Sequence, residues 1–178
     1  MNDKLKIDLL NLNEVETKIY NSFAKLVKDY FQLEKEHKSV KWLTRKLKIH
    51  IGEIGYNLKF DVASSEHNGE WLYDLVWYTD KDDFIEDIHL ILESELSDRT
   101  QIGLRFDFEK LLISKSELKV FFCLAEGNYN NPDSVLNVLN FLRKSIKSYK
   151  KLEENERVVV MIWDDYNTGL VYPFLLNS

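Results

Sequence analysis

The chain has 178 residues, of which 44% are hydrophobic and 30% are charged, and its formal net charge is -6 at pH 7. This hydrophobic content excludes a disordered chain, and the length suits a single domain over residues 1–178. The single cysteine excludes an intrachain disulfide and a cysteine-rich zinc site. No window reaches the roughly 18 apolar residues of a membrane span, and the first residues show no leader pattern, so we expect a cytoplasmic protein.

The first half of the chain is predicted to form two helices and then a hairpin. Apolar residues at three- and four-residue steps indicate an amphipathic helix over about 13–36. A second helix is predicted over about 39–54, with a break at its two glycines or a short strand near its end as alternatives. Alternation over 58–64, a turn at 65–69 and an apolar run over 70–79 indicate two paired strands.

The second half of the chain alternates strands and helices. This order is typical of a central mixed sheet with helices on its faces, and we therefore expect the α/β class. The predicted segments are a charged connection at 80–87, a strand at 88–96, a helix at 98–113, a strand at 118–124, a loop at 126–133, a helix to about 152, and strands at 157–163 and 170–176.

Three carboxylates stand in or beside two neighbouring predicted strands. Asp74 interrupts the apolar run 70–79, and Glu93 and Glu95 end the strand 88–96. Residues two apart in a strand share a face and lie roughly 7 Å apart, so both glutamates would point to one side. Gathered carboxylates repel one another unless they are protonated or bind a hard cation, and Mg²⁺ accepts one or two of them together with phosphate oxygens. The pattern predicts a metal-dependent phosphodiesterase.

This order of acids resembles the PD-(D/E)XK nuclease superfamily, in which an Asp opens the second core strand and acid-x-Lys lies on the third. The resemblance covers about 40–124 and implies a restriction-endonuclease-like sheet flanked by helices, with an extra N-terminal helix and a C-terminal hairpin. It also implies an endonuclease that uses Mg²⁺ or Mn²⁺ on nucleic acid, with DNA as the expected substrate. Glu93-Ser94-Glu95 replaces acid-x-Lys, as in some restriction enzymes of the superfamily. Lys110, on the following predicted helix, is then the candidate for a migrated lysine.

The resemblance implies a role for each of these residues. Asp74 would be the central metal ligand, Glu93 a second ligand, and Glu95 would hold or deprotonate the attacking water. Lys110 would orient that water or offset the phosphate charge, although an ordinary ion pair with Asp107, three residues earlier in its own helix, is the slightly preferred explanation. Glu53 is a candidate for a further metal ligand, with solvation of a helix surface as the preferred explanation.

Three further expectations remain open. His89 shares alternation parity with both glutamates, but a hydrogen-bonded strand histidine is a simpler explanation than a ligand. A nuclease-like fold that has lost its chemistry and serves as a binding or assembly module is the alternative function, because the usual lysine is absent and the net charge is acidic. A homodimer is expected because cutting two strands needs two active sites, with the first helix and the C-terminal hairpin as shared apolar surfaces.

Overall fold

The structure is a computed structural model that describes residues 11–69, 71–127, 131–153 and 155–176. The expectation about a leader falls largely outside the described residues, as do Glu70 at the predicted start of a strand and the middle of the loop 126–133. The described part of the chain contains four α-helices, a 3-10 turn and six strands. The helices are α1 (Glu14–Gln32), α2 (Val40–Asn57), α3 (Gln101–Ile113) and α4 (Ser134–Ser148), with the 3-10 turn at Lys35–His37. The strands are β1 (Asp61–Ser64), β2 (Leu75–Lys81), β3 (Phe84–Glu95), β4 (Leu118–Leu124), β5 (Arg157–Asp164) and β6 (Leu170–Leu176).

Local side-chain chemistry fixes where three of the helices begin. The Asn13 side chain accepts a hydrogen bond from the Glu16 backbone N–H, and the Glu16 carboxylate accepts one from the Asn13 N–H, which forms a capping box for α1. Ser39 and Thr100 accept hydrogen bonds in the same way at the starts of α2 and α3. These caps satisfy N–H groups that the first helical turn leaves without an intrahelical partner.

The six strands form one mixed sheet in which the spatial order follows the chain order, from β1 to β6. The β1–β2, β2–β3 and β5–β6 pairs are antiparallel. The β3–β4 and β4–β5 pairs are parallel, and their connections run through α3 and α4. The expected α/β class, with a mixed sheet flanked by helices, is therefore confirmed.

The helices cover the sheet on both faces and create two hydrophobic cores. One core lies between the sheet and α1 with α2, and the other lies between the sheet and α3 with α4. The central strand β4 contributes to both: Val120 and Phe122 pack on the first core, and Phe121 and Cys123 on the second. Such burial on both faces explains why β4 is an uninterrupted apolar run.

Two predicted segments differ from the structure. The charged stretch 80–87 is not a connection: β2 ends at Lys81 and β3 begins at Phe84, with Asp82 and Asp83 at φ 53° and 66° in a tight hairpin turn. Aspartate tolerates this left-handed conformation better than most residues, which explains the pair of acids. The second helix neither breaks nor becomes a strand but continues to Asn57. Its glycines permit close approach to the sheet, since a Cβ at Gly55 would lie 2.6 Å from the Trp77 indole nitrogen.

A β-bulge reverses the facing of residues within β3. Trp77 pairs with Leu90 but Tyr78 pairs with Ile88, so one residue of β3 is skipped between them. Ile88 consequently packs on the α3 and α4 side and Leu90 on the opposite side, although they are two residues apart. The expectation that His89 shares a face with Glu93 and Glu95 is therefore wrong.

The surfaces expected to support a homodimer are largely used within the chain. The apolar residues of α1 are buried in the core, including Ile19, Phe23 and Leu26. Tyr172 of the C-terminal hairpin is also buried. Phe31 of α1 and Leu170 of the C-terminal hairpin remain exposed, and the homodimer stays a prediction. Within the described ranges, each helix is too short or too polar to traverse a lipid bilayer.

Candidate active site

The predicted acids lie together at one end of β2 and β3. Asp74 lies in the bend that immediately precedes β2, rather than inside the strand as expected. Leu75 pairs with Leu92, so the start of β2 lies beside the last residues of β3, where Glu93 and Glu95 are found. The pairing register therefore brings together residues that are about twenty positions apart in the chain.

Both oxygens of the Asp74 carboxylate have partners. Oδ2 accepts hydrogen bonds from the Ser94 backbone N–H at 2.8 Å and from the Ser94 hydroxyl at 2.7 Å. Oδ1 lies 3.0 Å from the Lys48 ammonium, which also donates to the Ser65 hydroxyl at 3.3 Å. Ser94, the middle residue of Glu-Ser-Glu, thus fixes the orientation of Asp74, while Lys48 offsets its charge.

Lys48 is the site residue that sequence reasoning missed. It extends from α2, and only 5% of its surface is exposed. Lys48 belongs to the Lys-rich segment 35–50, and such a run of basic residues is typical of a solvated helix face. The available signal was its position in the buried stripe of α2, three residues before Ile51 and four before Gly52. A lysine in such a stripe must deliver its ammonium to an acid, because an unpaired buried charge is costly.

Glu93 is the most deeply buried of the three acids, with 5% of its surface exposed. Its Oε1 lies 2.5 Å from the Lys110 ammonium of α3, and that ammonium stands 5.1 Å from the centre of the Tyr73 ring. Burial raises the pKa of Glu93 to about 7; the paired Lys110 opposes this shift, and the charges of Asp74 and Asp107 add to it. The structure thus places Lys110 beside one of the predicted acids.

Glu95 occupies a different environment from Glu93. Its Oε1 accepts three hydrogen bonds at 2.7 Å, from the Ser97 N–H, the Ser97 hydroxyl and the Asp98 N–H. Asp107 of α3 lies close by, and its pKa is raised, first by burial and then by the charge of Glu95. Glu95 therefore organises the loop between β3 and α3 and belongs to the same acidic group.

The two lysines reach the acids from opposite faces of the sheet, one from α2 and the other from α3. Glu53, the candidate for a further ligand, is exposed on α2, and the residue of that helix that contacts Asp74 is Lys48. Asp74, Glu93 and Glu95 do not bring one ligand atom each to within 4.8 Å of one another. Two other groups of three residues within the described ranges do so.

The donor set nevertheless fits a hard divalent cation that is held by few protein ligands. Mg²⁺ needs only one or two carboxylates, with water and substrate phosphates supplying the other oxygens. The negative charge of Asp74 helps to raise the pKa of Glu93, because the two carboxylates repel one another. A cation bound between them would remove this repulsion. Asp74 and Glu93 are thus the residues suited to hold the ion.

Comparisons with protein-family models, with curated proteins and with solved structures gave no match. Functional assignment consequently depends on this cluster of side chains and on the strands and helices that position it.

Proposed function

We propose that the protein is a Mg²⁺- or Mn²⁺-dependent phosphodiesterase that cleaves nucleic acid, with DNA as its substrate. One observation carries the proposal: Asp74 and Glu93 lie at the same end of adjacent strands, and each is paired with a lysine from a different face of the sheet. Acids for a cation and ammonium groups for phosphate are the two components that phosphodiester hydrolysis requires.

The order of the elements supports the same proposal. The resemblance to PD-(D/E)XK nucleases places an Asp at the start of the second core strand and an acid-x-acid variant on the third. Here Asp74 directly precedes β2, and Glu93 and Glu95 end β3, with α3 and then β4 following. The coincidence of motif and topology favours a nuclease over an unrelated acidic cluster.

Each side chain has a distinct proposed task. Asp74 and Glu93 would hold the metal ion, which would lower the pKa of bound water and stabilise negative charge on the phosphoryl oxygens. Ser94 keeps the Asp74 carboxylate in one orientation through its two hydrogen bonds. When Glu93 binds a cation, the Lys110 ammonium becomes available for a phosphate oxygen or the attacking water. Lys48, which is nearly inaccessible to solvent, positions Asp74.

A cleavage assay tests this proposal. We expect the purified protein to cut DNA with Mg²⁺ or Mn²⁺, and we expect Asp74→Ala and Glu93→Ala to abolish cutting. Glu109→Ala is the matched control, because it removes a partly exposed acid of α3 that pairs only with Arg105 in the described part of the chain. The proposal that the protein is an enzyme would be refuted if the wild type, with either metal ion, hydrolysed neither duplex nor single-stranded nor structured nucleic acid.

A binding or assembly module is the second candidate function. The observation that favours it is the pairing of the two principal acids with ammonium groups, which already offsets their charge without any metal ion. Calorimetric titration with Mn²⁺ separates the candidates. Binding at millimolar or lower concentration that is lost in Asp74→Asn supports the enzyme, whereas no binding dependent on Asp74 supports the module.

A further inference from the structure

A second group of potential ligands lies toward the other end of β3. The group consists of Asp87, His89 and Glu117, and one potential ligand atom of each residue lies within 4.8 Å of those of the other two. His89 Nδ1 is 3.3 Å from Glu117 Oε2. Asp87 and His89 belong to β3, and Glu117 immediately precedes β4, so the group joins two neighbouring strands. None of these residues takes part in the candidate active site.

The His89 ring is held in one orientation. It stacks on Phe60 with ring centres 4.3 Å apart and an interplanar angle of 23°, and its side chain is 18% exposed. Its Nε2 lies 3.3 Å from the Thr79 hydroxyl. The bulge in β3 is what turns His89 toward Phe60. A metal-binding histidine usually donates its second ring N–H to an acceptor that fixes the ring, and the Thr79 hydroxyl oxygen can serve as that acceptor.

The contact between His89 and Glu117 can be satisfied in two ways. A neutral ring protonated at Nδ1 donates to the carboxylate, whereas a ring protonated at Nε2 presents an Nδ1 lone pair that a metal ion can bind. When Thr79 accepts a hydrogen bond from Nε2–H, the Nδ1 lone pair faces a carboxylate oxygen. Two such acceptors repel one another unless a proton or a metal ion lies between them. The nearby Asp87 carboxylate adds a second negative charge and so favours an ion with two positive charges.

The surroundings also favour a cation. A cavity of about 390 Å³ adjoins the group, and Asp87 and Glu117 line it. Glu86, Glu153 and Glu156 are further acids in its lining, and Lys115 is the one basic lining residue among those described. Glu86, Glu153 and Glu156 each lie within 3.9 Å of a lysine ammonium, which leaves Asp87 and Glu117 as the lining acids whose charge a cation would offset. The cavity also gives water access to these two acids.

We propose that Asp87, His89 and Glu117 bind a divalent transition metal ion, with Zn²⁺ as the best fit. One imidazole and two carboxylates supply three ligands, and water from the cavity supplies the fourth. Imidazole favours Zn²⁺, Co²⁺ and Ni²⁺ over Mg²⁺ and Ca²⁺, so this site differs in chemistry from the acids at the other end of β3. The ion links the β2–β3 hairpin to the start of β4 and stabilises that junction.

Calorimetric titration of the untagged full chain with Zn²⁺ tests the site. We expect one equivalent to bind at the site, with affinity reduced roughly 100-fold or more in His89→Ala and at least about tenfold in Asp87→Asn and Glu117→Gln. Thr79→Val, which removes only the hydroxyl that orients the ring, should weaken binding by about tenfold. Asp74→Asn should leave the Zn²⁺ affinity unchanged, which separates this site from the proposed nuclease centre.

His37→Ala is the matched control. Glu34, Glu36 and His37 form the other group with ligand atoms within 4.8 Å among the described residues, but all three are exposed and lie within four positions of one another. Zn²⁺ binding should persist in this variant. Asp87 and Glu117 are exposed, so their conservative variants should fold even if loss of the His89 ring disturbs packing, which circular dichroism checks. Failure of the wild type to bind Zn²⁺, or binding that survives all three ligand variants, would overturn the proposal.

Discussion

The two ends of β3 carry similar acids in opposite electrostatic settings. At the end with Glu93, each principal acid is paired with an ammonium group from a helix. At the end with Asp87, the partner of the acids is the imidazole of His89, which can be neutral and can itself bind a metal ion. An acid that is paired with lysine must release the ammonium group before it can bind a metal ion. An acid beside a histidine instead gains the imidazole as a second ligand for the same ion. The side chain that lies beside the acids at each end of β3, rather than the number of acids, therefore decides which cation that end suits.

The largest expected effect concerns the lysines that distinguish the first end. Lys110→Ala should lower turnover by roughly two to four orders of magnitude, the usual scale for a positioned charge or proton donor, without loss of folding. Lys48→Met should lower turnover by a smaller factor, because it releases Asp74 but leaves the Ser94 hydrogen bonds intact. Lys144→Ala, at an exposed position of α4, is the control. Tighter Mn²⁺ binding by Lys110→Ala without any turnover would instead indicate the binding module.

The pH dependence of stability tests the burial of Glu93. Its folded-state pKa is raised from 4.5 to about 7, so its stabilising contribution is complete below pH 4.5 and is lost as the pH rises through about 7. In EDTA, the free energy of unfolding of the wild type relative to Glu93→Gln should therefore fall by on the order of 3 kcal/mol between pH 4.5 and pH 8. Urea denaturation at both pH values measures this difference. A difference that is the same at both values would contradict the raised pKa.

A smaller effect should follow from displacing the helix that carries Lys48. Gly55→Ala places a Cβ 2.6 Å from the Trp77 ring, and overpacking of this kind typically costs about 1–3 kcal/mol. Lys41→Ala is the control, because it also places alanine in α2 but at an exposed position, where it adds no contact with the sheet. Its stability should remain within about 1 kcal/mol of the wild type. Thermal unfolding of both variants provides the measurement, and equal destabilisation would show that α2 packs less closely than described.

The smallest effect is expected at the Asp87 end. Asp87→Asn alters an exposed residue, so without Zn²⁺ its free energy of unfolding should stay within about 0.5 kcal/mol of the wild type. DNA cleavage should be unchanged, since Asp87 lies outside the candidate active site. A parallel loss of cleavage and of Zn²⁺ affinity would show that the two ends of β3 are coupled.

The order of helices and strands was predictable because each element carries a strong local signal. The apolar periodicity of α1 and the continuous apolar run of β4 identify their type without knowledge of their neighbours. The position of Asp74 was predicted only approximately. Its carboxylate accepts both hydrogen bonds from Ser94, and this long-range contact holds the residue in a bend before β2. A contact between distant segments leaves no local trace in the sequence.

The partners of the acids were harder to predict than the acids. Lys110 was predictable from the resemblance, whereas Lys48 stands among other lysines in a segment whose basic composition is typical of a surface, although it belongs to the buried stripe of α2. The face of His89 depended on the bulge, and alternation along the sequence gives no indication of a skipped residue. Inferences from alternation are reliable only as far as the pairing is regular.

The bulge between Trp77 and Tyr78 also divides β3 into two segments, and the first segment, nearer the hairpin, contains a further register shift between Thr79 and Asp80. An added or deleted residue near the hairpin would reverse the face of the sheet to which side chains of the first segment point. This reversal would end at the bulge. Beyond it, the pairing of Leu92 with Leu75 and of Glu93 with Phe121 would hold the second segment in place. A change in the length of the hairpin would therefore leave the positions of Glu93 and Glu95 unchanged.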